Sequence, residues 1–149
     1  MGKQHINITQ LFNAPVDTIF TLLTDHEAFG HVINTKIKRV VDSQDKNKNG
    51  IGSVRRINPF PFPPFEETVV TFQPNQLMEY VVSKGSPIKN HKGRMEFSNE
   101  QGKTRLIYTI DLEPKLPFLF FGSILKKAIE NPLRDGLKRL ADRYGIQSL

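Results

Sequence analysis

The sequence predicts one α+β domain, residues 1–149, in which an antiparallel sheet curls around a long C-terminal helix. Three observations carry that prediction. From Leu116 to about Tyr144 the apolar residues Ile124, Leu125, Ala128, Ile129, Leu133, Leu137, Leu140 and Ala141 recur at spacings of three and four, the mark of an amphipathic helix. Between Lys36 and Leu112 the chain alternates with period two between turn-rich breaks, which reads as consecutive antiparallel strands. The two short helical patterns lie apart from those strands, near the N-terminus, and segregated helices indicate α+β.

The elements follow in order. His5 to Phe12 places Ile6, Ile8 and Phe12 on one parity and makes a first strand. Pro15 sits where a helix start tolerates a missing N–H, Asp17 suits the first turn, and Val16, Ile19, Phe20 and Leu23 form a short apolar face. Thr24 and Glu27 have capping-box spacing, with Asp25 as a competing cap, for a second short helix through about Val32. Strands are expected at Lys36 to Ser43 and Ile51 to Asn58, around the polar run from Asp45 to Gly50. The Pro–Phe alternation from Pro59 to Phe65 forbids a central strand and favours an extended loop. Glu66 to Phe72 and Leu77 to Ser83 form a hairpin about Gln73–Gln76. His91 to Phe97 and Thr104 to Leu112 form the last pair, with His91, Gly93, Met95 and Phe97 on one parity. The final helix, about 26 residues and roughly 39 Å long, exceeds a seven-residue strand at roughly 23 Å and can cross the whole sheet.

Small residues interrupt that helix at Gly122, Ala128, Gly136 and Ala141, and Pro132 removes a donor inside it, so a bend near Ile129 is expected. Small side chains there have two readings: close approach of helix to sheet, or space left between them as a cavity.

Composition narrows the function classes. With 38% hydrophobic and 24% charged residues the chain has an ordinary globular balance, and a domain of this length can bury a core that includes a pocket. It has no cysteine, which removes disulfides, thiolate nucleophiles and Cys-ligated metals. No signal peptide or membrane-spanning run is read, so the cytoplasm is the expected location. The net charge of +6 is spread along the chain without a helix-turn-helix, RNP or zinc pattern, and no nucleic-acid partner is expected. His26 and His31 lack the spacing of a helical metal pair, so no metal site is expected; no cofactor is expected either.

Several pieces together resemble the SRPBCC superfamily, the START/Bet v 1-like group that includes polyketide cyclase/dehydrase and lipid-transport proteins. They are Asn13-Ala14-Pro15-Val16 leading to Phe20 and Asp25; Gly50-Ile51-Gly52-Ser53-Val54-Arg55; Glu67-Thr68-Val69 ahead of Phe72 and Pro74; and Tyr80, Gly85, His91 to Gly93 and Thr104. The resemblance implies a helix-grip fold, with a seven-stranded antiparallel sheet wrapped around the C-terminal helix and a deep apolar cavity between them. It also implies an apolar guest such as a lipid, polyketide or quinone, and only some members are enzymes.

Pockets of this kind are mostly apolar with a few convergent polar groups. The candidates for those groups are Arg55, Glu67, Tyr80, His91 and Tyr108; Arg55 and Glu67 match the family-like Arg and Glu positions. Phe60, Phe62, Phe65, Phe118 and Phe121 would line or gate the mouth, with Met95, Gly122, Leu125 and Ile129 as further ligand-facing positions. Each has a structural alternative: an ion pair near the strand ends or at the surface for Arg55 and Glu67, a satisfied histidine for His91, core for the tyrosines, and a loop tucked under the domain for the phenylalanines. The first functional expectation is binding of a hydrophobic or amphipathic small molecule. A second is a cyclase or dehydratase using His91, Arg55 and Tyr108 in the same cavity. A third is contact with anionic membranes through Lys126, Lys127, Arg134 and Lys138. The sequence leaves the ligand's identity and the oligomeric state open.

Overall fold

The computed structural model describes residues 3–59, 62–85, 88–115 and 122–145. Its elements run β1 (Gln4–Phe12), α1 (Val16–Thr24), α2 (His26–Val32), β2 (Lys36–Val41), β3 (Val54–Asn58), β4 (Phe65–Gln73), β5 (Leu77–Lys84), β6 (Ile88–Glu100), β7 (Lys103–Pro114) and α3 (Gly122–Arg143). The strands form one antiparallel sheet in the order β1-β7-β6-β5-β4-β3-β2. Because β1 closes onto β7, the two helices that follow β1 carry the chain across to the far edge at β2. The result is the curved sheet with a terminal helix that the sequence predicts.

Some boundaries differ, for local reasons. β3 begins at Val54 because Ile51 and Gly52 form a turn, with Gly52 N–H donating to the Val69 carbonyl at 2.9 Å. Asp25, rather than the Thr24–Glu27 box, caps α2: its carboxylate accepts the Ala28 N–H at 3.0 Å. Thr24 instead donates to the Phe20 carbonyl at 2.7 Å, and Glu27 accepts from the Arg39 backbone N–H at 2.6 Å. α3 has 22 residues, and residues 116–121, expected at its start, lie outside the described residues.

Half of the interior is closed. Phe12, Ile19, Leu23, Met78, Met95, Leu106 and Leu137 are inaccessible to solvent, and the Phe20 ring meets Phe72 and Phe97 edge-on at 5.3 and 5.0 Å. Burying each such side chain stabilises the fold by about 1.5–3 kcal/mol. α3 packs chiefly on β1 and also touches β7 and α2. At Gly136 a Cβ would collide with the Val32 carbonyl, so this glycine lets α3 press against the end of α2. The small residues therefore divide by position: Gly136 serves close packing on a helix, whereas Ala128, two turns earlier, lines open space. None of the described helices is long and apolar enough to cross a membrane.

Candidate functional site

The open half is a cavity of about 110 Å³ between the sheet, α2 and the first half of α3. One water needs roughly 10–15 Å³ of such space, so several water-sized groups fit. Its walls are mostly apolar: Phe29 and Ile33 from α2; Ile37, Ile57 and Ile110 from the sheet; and Leu125, Ala128, Ile129 and Leu133 from α3. Phe62 and Phe65 close the side nearest the Pro–Phe loop. Pro132 also lines it, and since proline has no N–H the Ala128 carbonyl lacks its helical partner there.

Into these walls the sheet directs five polar side chains. Strand parity turns Ser53, Arg55 and Ile57 inward while Arg56 faces water. Register then sets Glu67 on β4 directly across from Arg55, and Arg55 Nε donates to Glu67 Oε1 at 2.8 Å with both side chains buried. The Arg55 guanidinium carbon lies 4.3 Å from the centre of the Tyr80 ring and 5.1 Å from that of Phe29, so aromatic faces flank the charge. Its Nη1 is buried without a hydrogen-bond partner among the described residues. Tyr80, paired with Gly93 in the β5–β6 ladder, reaches over that glycine, and its hydroxyl bonds that of Tyr108 on β7.

His91 completes the group. Its Nδ1 accepts the Val82 backbone N–H at 3.1 Å, which places the proton of the neutral ring on Nε2, 3.6 Å from Glu67 Oε2. Burial lowers the His91 pKa, with Glu67 opposing and Arg55 assisting. For Arg55 burial is the largest influence and works against the charge, but Glu67 and the tyrosines outweigh it and the pKa is raised. Burial likewise lifts Tyr108 to about 12 and Tyr80 well above its ordinary value, so both phenols keep their protons at neutral pH. The pair holds two hydroxyl protons and uses one between its members. The site is thus a buried polar cluster that holds two donors without acceptors among the described residues: Arg55 Nη1 and one phenolic O–H.

Among the residues expected from sequence, Arg55, Glu67, Tyr80, His91, Tyr108, Phe62, Phe65, Leu125 and Ile129 all line this cavity. Met95 does not: it shares the inward face of β6 but sits two residues beyond Gly93, in the closed core. Phe60, Phe118 and Phe121 lie outside the described residues, and Gly122 enters only as the first residue of α3. Two contributors escaped the sequence reading. Phe29 stacks on Arg55 from α2, and His26, fully buried beside the site, bonds Ser53 Oγ through Nε2 at 2.9 Å while its Nδ1 has no partner among the described residues. Burial, then the charges of Arg55 and Arg39, push the His26 pKa down to about 3. Both contacts need α2 folded onto β3, which neither periodicity nor spacing reveals. Among the described residues no group of three or more His, Asp or Glu side chains could hold a metal ion.

A sheet gripping a terminal helix over an apolar cavity defines a START/Bet v 1-like protein of the SRPBCC superfamily. The chain belongs to the polyketide cyclase / dehydrase and lipid transport family, whose model matches residues 3–145. No curated protein sequence matches it. Among solved structures it is similar to the Zhui aromatase/cyclase from Streptomyces sp. R1128, with a TM-score of 0.76, 15% identity, and 96% of this chain and 94% of that chain covered. It is also similar to a START superfamily protein from Mycobacterium smegmatis (TM-score 0.69, 17% identity, 93% of this chain and 99% of that one). Truncated norcoclaurine synthase from Thalictrum flavum aligns with a TM-score of 0.68 at 12% identity over 93% of each chain. At these identities the likeness is one of fold.

Proposed function

We propose that the chain binds an apolar or amphipathic small molecule between sheet and α3, with an acceptor oxygen of the guest facing Arg55. One observation supports this most: an apolar cavity lined in part by Arg55, whose buried Nη1 has no hydrogen-bond partner among the described residues. A buried donor left unpaired costs about 1–3 kcal/mol, so an oxygen that accepts from it gains affinity and orientation together. The cluster's charges already balance, which favours a neutral carbonyl or hydroxyl at that point over a second carboxylate.

Titration with the neutral lipophilic fluorophore N-phenyl-1-naphthylamine tests this. The reading expects saturable binding to one site, abolished by Ile129→Trp, which fills the cavity from α3; no saturable binding, or equal binding to the filled variant, would refute it.

The same unpartnered donor supports a second reading, polarisation of a substrate carbonyl in a cyclisation or dehydration. His91 is a poor base for such a step in this arrangement, because its Nδ1 lone pair is taken by Val82 and its Nε2 carries the proton. Turnover of a polyketone substrate to a cyclised product, lost in Arg55→Met, would favour this reading over simple binding.

A further inference from the structure

The β5–β6 ladder stops short. Its last pair is Tyr80 with Gly93, and from Val82 onward the two strands part. The gap is bridged by a side chain, His91, whose ring takes the Val82 N–H that a strand partner would have taken. On its other side β6 slips against β7 between Lys89 and Lys92, with Asn90 at φ 50°, so a bulge turns this end of β6 out of register. The parting leaves a polar depression of about 270 Å³ in the sheet. His91 and Ile88 line both this depression and the apolar cavity, so the two spaces adjoin at these residues.

Lys84, Lys89 and Lys115 ring the depression, all exposed. Of the carboxylates opposite two of them, Glu66, across from Lys84, is paired with Arg56 at 2.9 Å, and Glu113, across from Lys89, accepts from the neutral Asn90 Nδ2 at 3.1 Å and keeps its charge, so three lysines face one uncompensated carboxylate. None of the three lysines has an ion pair among the described residues. Three ammonium groups without ion pairs around one concavity make a positive field beside the boundary where His91 lines both spaces.

We propose that this slot is an anion-binding subsite, so that the preferred guest is an anionic amphiphile with its apolar body in the cavity and its carboxylate or phosphate among Lys84, Lys89 and Lys115. The inference rests on the cavity reading above and adds the head-group chemistry to it. His91 is the positioning residue at the boundary, tied to the slot side through Val82 and to the cavity side through Glu67.

Calorimetric titration with octanoate, octyl phosphate, 1-octanol and inorganic phosphate tests the proposal, at about 0.05 M and about 0.5 M salt. Octanoate and octyl phosphate are expected to bind about 10-fold more tightly than 1-octanol at low salt, the scale of three exposed ion contacts, with the advantage shrinking at high salt. The variant Lys84→Gln/Lys89→Gln/Lys115→Gln should lose that advantage and keep its affinity for 1-octanol. If 1-octanol binds as tightly as the anions, or the triple variant keeps their advantage, the subsite is refuted while the cavity reading stands. Inorganic phosphate binding as tightly as octyl phosphate would also refute it, since the slot would then be independent of the cavity. If none of the octyl compounds binds, the cavity reading fails and this inference with it.

Discussion

The ring of Tyr80 occupies the space that a side chain at position 93 would need: a Cβ built on Gly93 collides with the Tyr80 ring carbon Cζ. Only glycine at that point of β6 lets Tyr80, one strand away, lie across the sheet and bring its hydroxyl to Tyr108 on β7. Gly93→Ala should therefore expel Tyr80 from this position and destabilise the fold by about 1–3 kcal/mol, the usual cost of overpacking. Urea unfolding measures it, and a variant as stable as the parent would show that Tyr80 has another place to go.

The Arg55–Glu67 pair is buried, so its partners should behave as a unit. Glu67→Gln leaves the guanidinium charge uncompensated and should cost about 3–5 kcal/mol, whereas Arg55→Met/Glu67→Gln should recover a large part of that loss. Unfolding free energies of the two single variants and the double variant give the coupling directly. Additive losses would mean that the two side chains do not share one electrostatic environment.

Acid sensitivity should come from His26. In the fold its pKa is depressed from 6.5 to about 3, so between those values the unfolded chain binds a proton that the folded chain refuses. Stability is then complete above about pH 6.5 and falls as the pH drops toward 3, by up to about 1.4 kcal/mol per pH unit. His91, also lowered by burial, acts in the same direction. Denaturant midpoints between pH 8 and pH 5 should slope less steeply in His26→Gln, and an unchanged slope would assign the acid response elsewhere.

Two small residues of α3 should respond in opposite ways. Gly136→Ala drives a methyl group into the Val32 carbonyl and should lower stability by about 1–3 kcal/mol without changing the affinity of a guest. Ala128→Trp, at the exposed edge of the cavity, should leave stability within about 0.5 kcal/mol and reduce guest binding. Thermal melts paired with probe titrations separate the two, and an exchange of these effects would overturn the division of roles along α3.

Much of this arrangement is legible in the sequence because strand parity is a strict rule. Alternation placed His91 and Tyr108 on the apolar faces of their strands, periodicity supplied the helix that covers them, and the resemblance to the SRPBCC superfamily added Arg55 and Glu67. Parity gives the face of a strand but not the distance along it, which is why Met95 shares a face with His91 and still falls in the closed core. The small residues of α3 were ambiguous for a related reason: composition shows that space is available, and only packing shows whether a neighbouring backbone or a void takes it. Phe29 and His26 stayed hidden because their roles arise where α2 meets β3, a contact that no local pattern encodes. The early end of the β5–β6 ladder is equally tertiary, since His91 substitutes a ring nitrogen for a backbone carbonyl there.

The most direct test of the account uses the side-chain N–H resonances of Arg55 in ¹⁵N-labelled protein, titrated with 1-tetralone and with its hydrocarbon counterpart tetralin. The account predicts that both guests saturate a single site, that the ketone binds more tightly, and that the ketone shifts the Arg55 signals more strongly than tetralin does. Failure of both to bind, or saturation by the ketone with the Arg55 signals unmoved, would contradict it.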